Sequence, residues 1–424
     1  MARQYNEFVG KSLQNPHTAA MNRDELASDA VVEPVNLVAE DGAPSFGLLY
    51  RRGGKTAKVG VHIMHPRTNH TQHYSVIPFV NAGYTVLGRN SRWPNNDSDM
   101  LHEAVLLDLA AGVRRLRELG CERVILLGSS GGSSLSAMYQ GQARAPIGER
   151  FTETPAGDPF DLNAFDLPPA DGVLFLGGHA GQGVVLSRSL DASVVDEANP
   201  MLIDADLDMF DPRNGFATPP ESSCYDPAFL DRFRAAQAQR LDRLDRRAFE
   251  LISMKRDLAK VATETSSSRF ERLAKLGWFM VIYRTTADPA FVDLSIDPDD
   301  RRVFSYSSGR PDLENFGEVG LGRIITPRAW LSTWSGNYSR ANTVANVAKF
   351  DDPFLIVHYA GDAGTRMQDS KDFLSASTSS DKELFIARNV DHYGFQYLPD
   401  GKLGVRNSEG ISRAIDWALE RFPI

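Results

Sequence analysis

Residues 123–133 read Arg-Val-Ile-Leu-Leu-Gly-Ser-Ser-Gly-Gly-Ser. Arg123 to Leu127 has the pattern of a strand, apolar after its first residue and suited to a sheet covered on both faces. Gly128 to Gly132 then follows at once in the form Gly-x-Ser-x-Gly, with Ser130 at its centre. A serine in a tight strand-to-helix turn is forced into a strained backbone, and its neighbours need room that only glycine leaves. Gly128 and Gly132 supply that room. The turn also brings the hydroxyl to a helix N-terminus, where unpaired N–H groups favour developing negative charge. Gly131 N–H is therefore a candidate oxyanion donor.

Working outward, Leu101, Val105, Leu109, Val113 and Leu116 recur at helical spacing up to Gly120, which stops the helix. Upstream lie two more apolar runs, Lys58–Met64 and Tyr84–Leu87, and before them a hairpin, Val35–Ala39 and Ser45–Tyr50, about the turn Glu40-Asp41-Gly42. Residues 172–176 (GVLFL) form a further buried strand. Strands alternating with helices predict a mostly parallel sheet flanked by helices, an α/β architecture.

The pattern stops near residue 190 and returns at Pro353 with PFLIVHYAGD, the strand Lys382–Ala387 and an amphipathic helix over Ile411–Phe422. One sheet built from residues 1–190 and 351–424 is expected, with 191–350 inserted between. In that insertion Pro227 to about Ala262 reads as one long helix or two, with the apolar stripe Leu230, Phe233, Leu241, Leu244, Ala248 and Leu251. A second helix is expected over Phe270–Tyr283, and loops at the Ser/Thr-rich 263–268 and 375–380.

A serine hydroxyl needs a base that is itself oriented by an acid. Asp362 follows the strand FLIVHYAG, and His392, in NVDHYGF, is the only histidine beyond it. Ser130, Asp362 and His392 thus stand in the order Ser, acid, His, each after a strand. This arrangement resembles the α/β-hydrolase family. The resemblance implies a catalytic triad of Ser130, Asp362 and His392 and a lid formed by the insertion after the sixth strand. It places the second oxyanion donor in the loop after His62-Ile63-Met64. Many relatives carry His-Gly there. Here His65 is followed by Pro66, which has no N–H, so the candidate moves to Arg67. The nearest competing acids are Asp369, Asp372 and Asp391.

The implied activity is a carboxylic ester hydrolase working through an acyl-enzyme. A carbon–carbon hydrolase, a thioesterase or an acyltransferase would use the same triad. A non-catalytic binding protein of this fold is the third reading. It is disfavoured by the presence of all three residues, as a dehalogenase is by a serine at the elbow. The substrate expected is a small molecule with a hydrophobic or aromatic part, met by His65, Trp278, Trp330 and Trp334.

The remaining features exclude more than they add. The 424 residues are 42% hydrophobic and carry a net charge of −9, a poor match for nucleic acid or an anionic membrane. Two cysteines, Cys121 and Cys224, make no disulfide framework, and the first residues lack the apolar core of a signal peptide, so a cytoplasmic protein is expected. His70 and His73 lack a third ligand for a metal and are read as lying near the active-site mouth or on the surface. His62 and His358 read as satisfied core residues. The glycines around His179 (GGHAGQG), like Gly317, Gly320 and Gly322, lack the spacing of a dinucleotide site. No metal or other cofactor is implied, and a homodimer is compatible with exposed apolar lid helices.

Overall fold

The computed structural model describes residues 25–303, 305, 310–318, 320–398, 403–406 and 408–424. The N-terminal segment read for a signal peptide lies mostly outside these residues. Eight strands form the main sheet: β1 Ala30–Val38, β2 Pro44–Arg52, β3 Val59–His65, β4 Thr85–Asn90, β5 Arg123–Ser130, β6 Gly172–Gly178, β7 Phe354–Tyr359 and β8 Lys382–Ala387. Their order is β1-β2-β4-β3-β5-β6-β7-β8. Only β2 pairs antiparallel with both neighbours, and from β4 to β8 every pairing is parallel. The carboxyl ends of β3, β5, β6, β7 and β8 therefore share one edge, the edge at which open α/β sheets place their ligands.

The register explains the continuous apolar strands. Ile63, Leu127, Leu174 and Leu355 stand side by side across β3, β5, β6 and β7, all in one buried cluster. The next residues face the other way, Leu126 into a second cluster and Val173 and Phe354 into a third. Helices cover both faces: α1 (Val76–Asn81) and α2 (His102–Glu118), then α3 (Gly131–Arg144) and α4 (Gln182–Ser189). Near the C-terminus lie α7 (Met367–Ala376) and α8 (Ser408–Arg421), the latter seating Trp417 fully buried against the sheet with Phe422 edge-on at 5.8 Å.

Between β6 and β7 the chain supplies most of two further apolar clusters, which Ala156 and Ala363 join from outside the segment. The segment Pro227–Thr265 is a single 39-residue helix, α5, started by Pro227 and by Asp226, whose carboxylate accepts the Ala228 N–H. Phe233, Leu241, Leu244, Ala248 and Leu251 of the expected stripe are buried, and Leu230 is half-buried. The helix runs on through Thr265, so the loop expected at 263–268 shrinks to Ser266–Ser267. The second helix, α6, is shorter than expected, Ser268–Lys275. Beyond Gly277 the aromatic and β-branched run turns extended, and Met280–Val281 pairs antiparallel with Ile324–Ile325.

His62 is buried in the core as expected, but neither ring nitrogen finds a hydrogen-bond partner among the described residues. His358 is buried and meets Ser370 Oγ at 3.0 Å through Nδ1. No helix among the described residues is long and apolar enough to cross a membrane.

Trp417 carries the packing of α8 on the sheet. Trp417→Ala is expected to cost about 3–5 kcal/mol, read from urea unfolding curves of the two proteins.

Candidate active site

β5 ends at Ser130 and α3 begins at the next residue, with nothing between. Ser130 holds φ +52° and ψ −124°, a conformation that costs a residue with a side chain about 1–3 kcal/mol. The packing around it leaves no other course. A Cβ on Gly128 would stand 2.5 Å from Gly132 O, and one on Gly132 would stand 2.7 Å from Met64 O in β3. The Ser133 hydroxyl donates back to Gly128 O at 3.0 Å and ties helix to strand. The result is a half-buried Ser130 hydroxyl held at the edge of the sheet, beside the first N–H groups of α3.

Two loops reach it from the parallel strands beyond. Asp362, in the turn after β7, is fully buried. Its Oδ1 accepts the Gly364 N–H at 2.6 Å, and its Oδ2 accepts the Thr365 hydroxyl at 2.8 Å. His392, in the loop after β8, places Nδ1 2.7 Å from Asp362 Oδ2 and Nε2 3.1 Å from Ser130 Oγ. An ionised carboxylate can only accept, so Nδ1 carries the proton and the Nε2 lone pair faces the serine. Burial works against a charged His392, yet the charge and hydrogen bond of Asp362, aided by Asp391, hold its pKa above the ordinary 6.5.

The competing acids are engaged elsewhere. Asp369 forms a two-pronged ion pair with Arg188 at 2.8 and 2.9 Å, and Asp372 accepts from Gln368. Asp391 accepts the Tyr393 and Phe395 N–H groups, and burial pushes its pKa up to about 6. Among the described residues, no group of three or more His, Cys, Asp or Glu could hold a metal ion.

Gly131 opens α3, as expected. Arg67 is placed differently from its expected role. Its N–H donates to His65 Nδ1 at 3.1 Å, and its guanidinium pairs with Asp97 and lies 5.5 Å over the Trp334 ring. With Pro66 next to it, the loop curls back so that both the Arg67 and Thr68 N–H groups reach this imidazole. Trp330 and Trp334 are buried in the insertion's own core, Trp330 Nε1 donating to Asp245 at 2.7 Å, and Trp278 packs half-buried against them. His70 and His73 are not surface residues. Both are fully buried, the His70 ring tilted behind His65 at a centroid spacing of 5.0 Å and stacked on His73 at 4.6 Å.

His179 is the residue that sequence reading missed. Ser130 pairs with Gly178 across β5 and β6, and His179 follows directly. A Cβ on Gly131 would meet His65 Nε2 at 2.8 Å and His179 Nε2 at 3.4 Å, so both rings stand against the elbow. The signal was the position of GGHAGQG at the carboxyl end of the strand next to the serine's, which needs the sheet order to be read.

A sheet in this order, with a strained serine between the fifth strand and its helix and an acid and a histidine after the last two strands, is the α/β-hydrolase fold. No family model matches the chain, and no curated protein matches it by sequence. Solved structures similar to it include an esterase of Pyrococcus furiosus (11% identity, covering 92% of this chain and 91% of that one, TM-score 0.44). Others are an esterase domain from Rhodothermus marinus (11%, 92% and 98%, TM-score 0.41) and an α/β-hydrolase from a Penicillium species (13%, 93% and 100%, TM-score 0.45). These similarities do not reach the chemistry of the site.

Because Asp362 favours the imidazolium, His392 becomes neutral, and so able to accept a proton, only above its raised pKa. Histidine resonances followed by NMR should show His392 titrating with a midpoint above 6.5. In Asp362→Asn the midpoint should fall, since the charge that raised it is gone.

Proposed function

We propose that the protein is a serine hydrolase that cleaves carboxylic esters through an acyl-enzyme. The observation that carries this reading is His392, which spans Ser130 Oγ and Asp362 Oδ2 at 3.1 and 2.7 Å. His392 Nε2 takes the proton as Ser130 Oγ attacks the ester carbonyl carbon. The carbonyl oxygen becomes an oxyanion beside the Gly131 N–H at the start of α3. As the tetrahedral intermediate collapses, the ester C–O bond breaks and His392 returns the proton to the departing alcohol oxygen. Water then attacks the acyl-enzyme with His392 again as base, releasing the acid and restoring Ser130.

The insertion would cap this site. Ser305 Oγ donates to Gly361 O and accepts the Ala363 N–H, on either side of Asp362. Ala363 itself packs into an apolar cluster with Phe291 and Val292 of the insertion. A cap rich in apolar clusters suits a small substrate with a hydrophobic or aromatic part.

A fluorophosphonate probe should label the intact protein on Ser130 alone, located by peptide mass spectrometry, and leave Ser130→Ala unlabelled. With p-nitrophenyl esters graded by acyl size, Ser130→Ala and His392→Ala should each lose about 10⁴–10⁶ in kcat. A folded protein that takes no label on Ser130 would overturn the reading.

A further inference from the structure

We propose that His65 and His179 complete the oxyanion site, each donating its Nε2–H to the developing negative charge that Gly131 N–H alone would otherwise hold. The inference rests on the acyl-enzyme reading above and adds to it the donors that Pro66 and Arg67 do not provide.

The argument begins with tautomers. His65 Nδ1 accepts two backbone hydrogen bonds, from Arg67 N–H at 3.1 Å and Thr68 N–H at 3.0 Å. A ring nitrogen that accepts carries no proton, so this imidazole is neutral and its proton sits on Nε2. His179 is arranged alike, its Nδ1 accepting the Gly181 N–H at 3.1 Å. Both rings thus turn a proton-bearing Nε2 away from their own loops.

Geometry says where those protons point. His65 is the last residue of β3, and His179 follows the last residue of β6. These are the two strands that flank β5, so the rings approach the elbow from opposite sides. Their Nε2 atoms converge on one place, 2.8 and 3.4 Å from where a Cβ of Gly131 would be. Gly131 follows the nucleophile and carries the proposed backbone donor. Among the described residues nothing accepts from His179 Nε2, although the ring is only 7% exposed. An N–H that meets no acceptor in the protein is open to one that arrives with the substrate. An oxyanion is such an acceptor.

The electrostatics suit a donor that must remain neutral. Burial, with repulsion from a protonated His392, pushes the His179 pKa down to about 3. Across the working range of a serine–histidine pair it therefore stays an uncharged N–H. A permanent imidazolium here would oppose the charge that forms on His392 during attack. The His70 ring lies behind that of His65, tilted to it at 44° with centroids 5.0 Å apart.

Asparagine and glutamine separate this role from a merely structural one. An asparagine at either position would offer an oxygen where Nδ1 stands and keep the loop hydrogen bonds, but would not reach Gly131. Glutamine reaches to the Nε2 position and keeps a donor there. We expect His65→Asn and His179→Asn each to lower kcat on p-nitrophenyl butyrate by about 10²–10³-fold, the effect of losing one oxyanion donor. KM should change little, and His65→Gln and His179→Gln should recover most of the loss. A second measurement needs no variant. In the wild-type adduct with a trifluoromethyl ketone, ¹⁵N-edited NMR should show two histidine Nε2–H protons moved downfield from their free positions. Asparagine variants as active as wild type, asparagine rescuing where glutamine does not, or unmoved Nε2–H signals would each overturn the proposal. Wild-type protein that takes no fluorophosphonate on Ser130 would instead remove the acyl-enzyme reading beneath it.

Discussion

Everything at this site depends on how closely β3, β5 and α3 approach one another. Gly128 and Gly132 leave no space for a side chain, and the backbone between them is held at a positive φ on Ser130. That strain persists because the two flanking strands and the helix over-determine the turn. Its product is a hydroxyl that projects from the sheet edge instead of packing into it. The same approach brings β3 and β6 alongside, and with them the two histidines that face Gly131.

The polar groups around the elbow divide by charge. Behind His392 lie two carboxylates: Asp362 at 2.7 Å, and Asp391 near enough to add its charge to the effect. This side favours a proton on the base and raises its pKa. On the other side stand imidazoles held neutral by burial, His179 at about 3 and His70 at about 3. In the proposed reaction, attack at a carbonyl would make a cation on His392 and an anion near Gly131. The negative groups already lie beside the first, and uncharged N–H groups beside the second. Such an arrangement needs little reorganisation as charge develops.

The insertion is bound into this framework. The Ser332 hydroxyl accepts the His102 N–H at 2.9 Å and donates to the buried Glu103 carboxylate at 2.6 Å, joining the start of α2 to the segment that carries Trp330 and Trp334. Burial raises the Glu103 pKa. Arg67 links the β3 loop to Trp334, and Ser305 braces the turn that holds Asp362. The tryptophans read as substrate contacts serve first as the core of this segment.

The central strands were legible because β3, β5, β6 and β7 are apolar runs ended by Gly, Pro or a polar residue. Ser130, Asp362 and His392 were legible because each follows such a run in a fixed order. Local patterns failed where packing overruled them: the helix expected over Phe270–Tyr283 ends at Lys275, and Met280–Val281 pairs instead with Ile324–Ile325. Of the two places read for His70 and His73, the surface is wrong, because the loop folds both rings under His65. His179 lies 49 positions from Ser130 in the chain, and only the parallel pairing of β5 with β6 brings them together. By itself the sequence determined which residues can form strands, a strained serine turn and a candidate nucleophile, because those depend on near neighbours. Only the tertiary structure decided which imidazoles face that nucleophile and in which tautomer, because that depends on which strands lie side by side and which backbone N–H groups each ring meets.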